Sequence, residues 1–211
     1  MATPAQSSAS ARGARLRGRL FSATTIVGDL LLLHLYWLAV SAAIVTVLPA
    51  SVALQRAIHD VLVERRSDTA RVFFSRFGGS WRTYWVPGLV APILAVMYVF
   101  SLLFWASANG WGRTAALALL LPLGGFAFCA YLATLAAAPT LPDGAGVRQT
   151  ARRGWAVLAR RPLAAAGCLV VMITWLLLLS RIPTLALVGL GLVPALLALW
   201  LAKAPGAAGR T

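Results

Sequence analysis

Charged residues are scarce in this sequence, and acidic residues are the scarcest. The 211 residues include only five Asp and Glu, and charged residues make up 11% of the chain, against about 25% in an average soluble domain. Hydrophobic residues make up 60%, against about 45–50% in soluble domains. A chain of this length cannot bury so much apolar surface in its own core. The composition therefore argues against a soluble protein and predicts one that is embedded in lipid.

The sequence also lacks the residue patterns that carry catalysis or bind metals. It has no GxSxG, no HExxH and no GKS or GKT motif. Cys129 and Cys168 each lie in an apolar stretch without CxxC spacing, which predicts small buried side chains. His59 has Asp60 and Glu64 nearby but lacks a second strong metal ligand. We therefore expect no enzyme, no metal and no cofactor.

The charges that are present are mostly positive and lie between apolar segments. Nineteen Lys and Arg give a net charge of +14. Arginines that flank apolar segments are typical of the positive-inside rule for membrane proteins. They indicate a bilayer with an anionic inner leaflet as the partner, and they do not indicate nucleic acid.

Five apolar segments have the length of about 20 residues that a helix needs to cross the hydrocarbon core. These segments are Ile26–Leu48, Val86–Ala108, Thr114–Ala138, Leu163–Ile182 and Thr184–Ala202. Each must be helical, because an isolated strand leaves its backbone polar groups unpaired in lipid. The first run is too long for the core of a signal peptide and predicts a retained span. We expect one transmembrane helical domain over residues 21–203, between a disordered basic tail (residues 1–20) and a flexible tail (residues 204–211).

The segment Pro49–Arg66 has helical periodicity but carries polar residues on one face. It predicts either a helix on the membrane surface or a polar sixth helix that returns through the bundle. A return places 16 Lys and Arg on one side of the membrane and 2 on the other, with Arg56 inside. This distribution favours the return, and it predicts that both termini face the cytoplasm.

Two connecting segments predict interfacial amphipathic helices. In the first, one stripe contains Ala70, Phe73, Phe74 and Phe77, Gly78-Gly79 is expected to end the helix, and Trp81 follows at the mouth of the next span. In the second, the apolar stripe consists of Val147, Ala151, Trp155 and Leu158, and arginines including Arg148 and Arg152 form the polar face. Ordinary loops that carry topogenic charge are the alternative for both segments.

Polar residues inside apolar segments are the best indicators of function in a membrane protein. The candidates are Asp29 and His34 in the first span, and Arg56, His59 and Asp60 in the possible returning helix. Asp29 and Arg56 form a charge pair inside the bundle if the chain reverses early enough. The alternative is that Asp29 lies at the headgroup level and Arg56 on the surface.

Several of these motifs resemble the YesL-like family of bacterial membrane proteins. They are Gly28-Asp29-Leu30 through Trp37-Leu38, Ile44-Val45-Thr46, Pro49-Ala50, Phe73-Phe74-Ser75-Arg76-Phe77 and Thr150–Pro162. The chain departs from the family pattern at His34, Ala43 and Leu48. The resemblance implies an inner-membrane protein with no assigned activity and an accessory role in carbohydrate uptake.

From the sequence we expect a non-enzymatic multi-pass membrane protein that acts as an accessory component of a carbohydrate transporter. The alternative is a small transporter or channel in its own right. Against this alternative, the later spans contain few polar residues between their ends, with Thr174 and Ser180 in the fourth and none in the fifth.

Overall fold

Seven α-helices and three short 3-10 turns make up the described chain, which covers residues 24–63, 68–142, 144–185 and 189–203 of a computed structural model. The helices are α1 (Thr24–Ser41), α2 (Val47–Val63), α3 (Thr69–Ser107), α4 (Trp111–Ala137), α5 (Val147–Arg160), α6 (Pro162–Arg181) and α7 (Leu192–Lys203). The 3-10 turns are Ile44–Thr46, Ala138–Thr140 and Pro183–Leu185. These ranges contain no strand, which confirms the all-α class.

Four helices are long and apolar enough to cross a membrane: α1, α3, α4 with its 3-10 extension, and α6. The predicted fifth span, Thr184–Ala202, is not confirmed. The helix there, α7, has 12 residues and a length of about 18 Å, which is short of the hydrocarbon core of about 30 Å. Two glycines before α7 pack tightly, because a Cβ on Gly189 would lie 2.2 Å from Trp175 and one on Gly191 would lie 2.5 Å from Trp37.

The first predicted span, Ile26–Leu48, ends earlier than expected. Helix α1 stops at Ser41, and the chain reverses through residues 42–46 into α2. The Thr46 hydroxyl donates to the backbone carbonyls of Val40 and Ala43 and so stabilises this turn. The turn lies against Gly88, where a Cβ would lie 2.7 Å from the Val45 carbonyl oxygen. The α1–α2 hairpin therefore ends about halfway along α3.

Helix α3 is continuous for 39 residues. It joins the first predicted interfacial helix to the second predicted span, so the expected helix end at Gly78-Gly79 is wrong. Neither glycine has a neighbouring atom within 4 Å of the position of a Cβ. Thr69, Phe73, Ser80, Tyr84 and Gly88 are buried along one face. Packing on both sides of the glycines outweighs their cost of about 1 kcal/mol each in a helix.

Helix α2 lies inside the bundle and not on its surface. Its Leu54 and Ile58 pack with Trp37 of α1 and Phe73 of α3 in one buried cluster. Its Val52 belongs to a second cluster, in which buried residues of four other helices take part: Tyr84 of α3, Leu132 of α4, Cys168 of α6 and Ala198 of α7. Residues 49–63 of the polar segment that the sequence left ambiguous therefore belong to the central helix of the fold, and residues 64–66 lie outside the described residues.

The long helices α3, α4 and α6 extend beyond the other helices. We call residues 89–127 and 169–181 the apolar half of the molecule and the remaining described residues the basic half. In the apolar half, Tyr98 of α3 donates to the Leu120 carbonyl of α4, and Gly125 of α4 contacts Leu169 of α6. Of the twelve described Lys and Arg, only Arg113 and Arg181 lie in the apolar half. From Gly88 to Ser107, α3 rises about 28 Å, close to the thickness of the hydrocarbon core.

The second segment predicted as an interfacial helix is helical, as α5, and it packs against the bundle through small and polar residues. Its buried residues are Thr150 and Gly154. The Thr150 and Tyr84 hydroxyls are hydrogen-bonded at 2.7 Å, and a Cβ on Gly154 would lie 2.9 Å from the Thr134 backbone. Trp155, expected in the apolar stripe, is 58% exposed. A small residue and a hydroxyl allow α5 to approach α4 and α3 closely, which large apolar side chains do not permit.

Candidate functional site

The polar residues of α2 lie at the centre of the basic half. Gln55, Arg56 and Asp60 are buried, and His59 is half-buried. The apolar residues of α2 share one helical face, and this face packs against Trp37 of α1 and Phe73 of α3. The other face of α2 carries its polar side chains towards α3 and the end of α4.

Asp60 forms an ion pair with Arg76 of α3. Arg76 Nε donates to Asp60 Oδ2 at 2.8 Å, and the two side chains are 21% and 5% exposed, respectively. A buried carboxylate is stable only when it is paired and hydrogen-bonded. Arg76 therefore supplies the positive charge that allows Asp60 to lie inside the bundle.

Arg56 reaches the end of α4. Its Nε donates to the Ala138 carbonyl oxygen at 3.3 Å. Ala138 begins the 3-10 turn after α4, and the last carbonyls of a helix lack partners within the helix and carry partial negative charge. The contact therefore links the central helix to the loop that leads into α5.

Four polar side chains line a cavity of about 180 Å³, and three residues after α4 complete its wall. The polar residues are Arg56, His59, Asp60 and Arg76, and the others are Pro139, Leu141 and Pro142. We call this cavity the polar cavity. Its guanidinium, imidazole and carboxylate groups provide several hydrogen-bond donors and acceptors for water or a small polar molecule. Among the described residues, no group of three His, Cys, Asp or Glu side chains is placed to hold a metal ion.

The other two intramembrane candidates lie outside the polar cavity. Asp29 accepts a hydrogen bond from the Thr69 hydroxyl at 3.2 Å. His34 is buried and stacks on Trp37, with ring centroids 5.6 Å apart. Asp29 therefore links α1 to α3, whereas the ring contact of His34 with Trp37 lies within α1.

The structure does not bring Asp29 to Arg56. Trp37 Nε1 donates to Ser51 Oγ at 3.2 Å, which fixes the alignment of the antiparallel helices α1 and α2. Counting outward from this contact, Asp29 is eight residues from Trp37, whereas Arg56 is five residues from Ser51. Asp29 therefore lies about one helical turn beyond Arg56, and the two side chains have different partners.

The residues expected in the interface separate into buried and exposed groups. Phe73 is fully buried and stacks on the half-buried Phe77 at 6.4 Å between centroids. Phe74 and Trp81 are exposed on α3. Trp155 is exposed on α5, and so are Arg148 and Arg152. Of the aromatic rings on this part of α3, Phe73 therefore packs inside the bundle, whereas Phe74 and Trp81 lie at the surface.

Sequence reasoning missed Arg76 as a member of the site. It lies three residues after Phe73 and four before Ser80, so it shares their buried face. A cation inside an otherwise buried helical stripe is a signal for a buried acidic partner. The sequence alone does not identify Asp60 as that partner, because this depends on the alignment of α2 with α3.

Comparison with known proteins gives no match: no family model, no curated protein and no solved structure is similar to this chain. The described chain consists of helices and connecting turns without a strand, and four of its helices have the length and composition to cross a membrane. This architecture is compatible with a multi-pass membrane protein.

Proposed function

We propose that this chain is a non-enzymatic multi-pass protein of a bacterial inner membrane that acts as an accessory or partner subunit. One observation favours a partner role over transport: the apolar half provides no polar path. Residues 86–107, 114–137 and 162–180 contain no Asp, Glu, Lys, Arg or His. A pathway for a polar solute needs such side chains or free backbone groups along its length.

The hydroxyl groups of the apolar half support the same proposal. Each of four hydroxyl groups donates a hydrogen bond to a backbone carbonyl oxygen. The pairs are Tyr98 with Leu120, Ser107 with Phe104, Thr174 with Val170 and Ser180 with Leu177. These bonds satisfy four of the six hydroxyl groups in the apolar half within or between neighbouring helices, so these four are not directed at a solute. The outward faces of the same helices are apolar and exposed, as at Phe100, Phe104 and Leu119. They suit contact with lipid or with helices of a partner.

The distribution of charge supports an orientation with both termini in the cytoplasm. The described chain starts and ends in the basic half, where Asp29 contacts Thr69 and Arg161 Nη1 donates to the Leu201 carbonyl at 2.9 Å. Ten of the twelve described Lys and Arg lie in this half. Positive charge concentrates on the cytoplasmic side of membrane proteins.

A carbohydrate transporter is the first partner to test, because the resemblance to the YesL-like motifs implies that association. A photoreactive amino acid at the exposed Phe100 should crosslink to a transporter subunit in cells that take up sugar. The matched control is the buried Phe73, which should give no intermolecular product. Equal intermolecular crosslinking at both positions would contradict a specific contact through the apolar half.

Reconstitution distinguishes the accessory role from the alternative of a transporter or channel. The purified protein in liposomes should show no sugar flux above that of empty liposomes. Flux that depends on the protein, and that is lost on substituting Arg56 or Asp60 in the polar cavity, would replace the accessory role with transport.

A further inference from the structure

Helix α5 presents a fixed basic surface at the start of a membrane-spanning helix. The hydrogen bond between Thr150 and Tyr84 and the close approach of Gly154 to Thr134 hold one face of α5 against α3 and α4. At 100° per residue, Arg148 and Arg152 lie on the side opposite these contacts, and Arg153 lies between the two sides. The orientation of the arginines therefore follows from the packing of α5.

These three arginines line a groove of about 670 Å³ together with Leu141, Gly146, Gln149 and Ala156. We call it the basic groove. Among the lining residues that the structure describes, none is Asp or Glu. Within the described chain, the three guanidinium groups form no ion pair with an acidic side chain. A cluster of this kind attracts an anion with several oxygen atoms, and a phosphate group matches the planar donors of arginine.

An apolar flank lies directly beside the basic groove. On the helical wheel of α5, Val147, Ala151 and Trp155 occupy the sector next to Arg148 and Arg152. The Trp155 ring contacts Phe126 of α4 edge-on, with centroids 5.8 Å apart, and both side chains are exposed. Helix α6 follows at Pro162, and its Leu163 is fully exposed to the surroundings of the protein. The anion in the groove is therefore expected to carry an apolar chain.

We propose that the basic groove binds the phosphate headgroup of an anionic phospholipid, whose acyl chain lies along Trp155 and Phe126. Basic side chains next to a membrane span recognise anionic headgroups, and an aromatic side chain at the same level marks the interface. A soluble phosphate compound would use the arginines but gain nothing from the apolar flank. The site goes beyond the proposed partner role and depends only on the membrane class of the fold.

Lipid binding to the intact, detergent-solubilised protein tests the site. Native mass spectrometry measures the affinity for phosphatidylglycerol and for phosphatidylcholine of the same acyl chains. The test variant is Arg148→Gln/Arg152→Gln, and the matched control is Arg71→Gln/Arg160→Gln, which removes the same charge from exposed positions outside the groove. A juxtamembrane arginine contributes a factor of about five, so the test variant should bind phosphatidylglycerol about 30-fold more weakly. The control should stay within about twofold of the wild type.

Two further measurements separate the lipid from other anions. Inorganic phosphate in large excess should not displace phosphatidylglycerol, and Trp155→Ala should weaken the binding of both phospholipids. Equal affinity of the wild-type protein for the two phospholipids would overturn the proposal. So would an equal loss in the test and control variants, which would indicate net charge alone, or displacement by inorganic phosphate, which would indicate a soluble ligand.

Discussion

Single residues stabilise the basic half mainly through buried polar contacts between helices. Asp60 with Arg76, Arg56 with the Ala138 carbonyl, and Tyr84 with Thr150 each connect different segments of the chain. Such contacts specify one alignment of helices, because a shifted alignment would leave the same groups buried without partners.

The ion pair of the polar cavity should respond asymmetrically to mutation. Arg76→Gln leaves the buried carboxylate of Asp60 without its cation, and we expect a loss of about 3 kcal/mol in the free energy of unfolding. Asp60→Asn should lower the free energy of unfolding by less, because the amide oxygen still accepts a hydrogen bond from Arg76, which is partly exposed. Thermal unfolding in detergent measures both.

Arg71→Gln is the matched control for this experiment, since Arg71 is exposed and lies on the same helix. Its effect should stay within about 0.5 kcal/mol, as is usual for surface substitutions. If Arg76→Gln proves as mild as Arg71→Gln, the ion pair contributes nothing measurable to stability.

Asp29 and Arg56 should behave as independent residues. Because Asp29 contacts Thr69 and Arg56 contacts Ala138, the losses from Asp29→Asn and Arg56→Gln should add to within about 0.5 kcal/mol in the double mutant. Recovery of stability in the double mutant would instead show that the two charges meet inside the bundle.

At the scale of elements, the sequence predicted helix content better than helix ends. The apolar runs correctly located α3, α4 and α6, because a lipid-facing helix has a long and uniform hydrophobic signal. The ends of α1 and α7 depend on tertiary contacts, such as Gly88 against Val45 and Gly191 against Trp37. A single sequence does not show which glycine will meet another helix and which will face open space.

The inward face of α5 illustrates the same limit. Hydrophobic periodicity predicted an apolar stripe that includes Val147, Ala151 and Trp155, and it did not indicate that the helix packs through Thr150 and Gly154. In a membrane protein an apolar stripe marks lipid as readily as it marks the core, and small residues mark helix contacts. Likewise, the polar cavity was predicted in part: Arg56, His59 and Asp60 were identified, whereas Arg76 required the alignment of α2 with α3.

Substitutions at two glycines of α3 test whether the α1–α2 hairpin packs against α3 at Gly88. Gly88→Ala places a methyl group 2.7 Å from the Val45 carbonyl oxygen and 3.2 Å from the Pro49 ring, so the hairpin must shift and stability should fall by about 1–3 kcal/mol. Gly78→Ala adds the same methyl group to the same helix in open space, and should be neutral or stabilising by up to about 1 kcal/mol. Equal effects on the melting temperature would show that the hairpin does not pack at Gly88.

At the scale of the whole molecule, the two halves differ in charge, in exposure of apolar side chains and in the number of helices. The apolar half contains parts of three helices and is about as thick as a bilayer core, whereas the basic half gathers all seven around α2. The α1–α2 turn lies beside Gly88, about 28 Å along α3 from the turn between α3 and α4. If α3 crosses a membrane, we therefore expect the two turns to lie at different depths.

Cysteine accessibility in intact cells tests this central claim most directly. In a variant without Cys129 and Cys168, single cysteines replace Asn109 in the α3–α4 turn, Ala43 in the α1–α2 turn and Arg160 at the end of α5. A membrane-impermeant maleimide added outside should label the cysteine of Asn109→Cys only. The cysteine of Arg160→Cys should become reactive after the membrane is permeabilised, because our proposal places the basic half in the cytoplasm. Labelling of Ala43→Cys from outside would show that α1 and α2 cross the membrane completely, and labelling of Arg160→Cys from outside would contradict the orientation and the division into two halves.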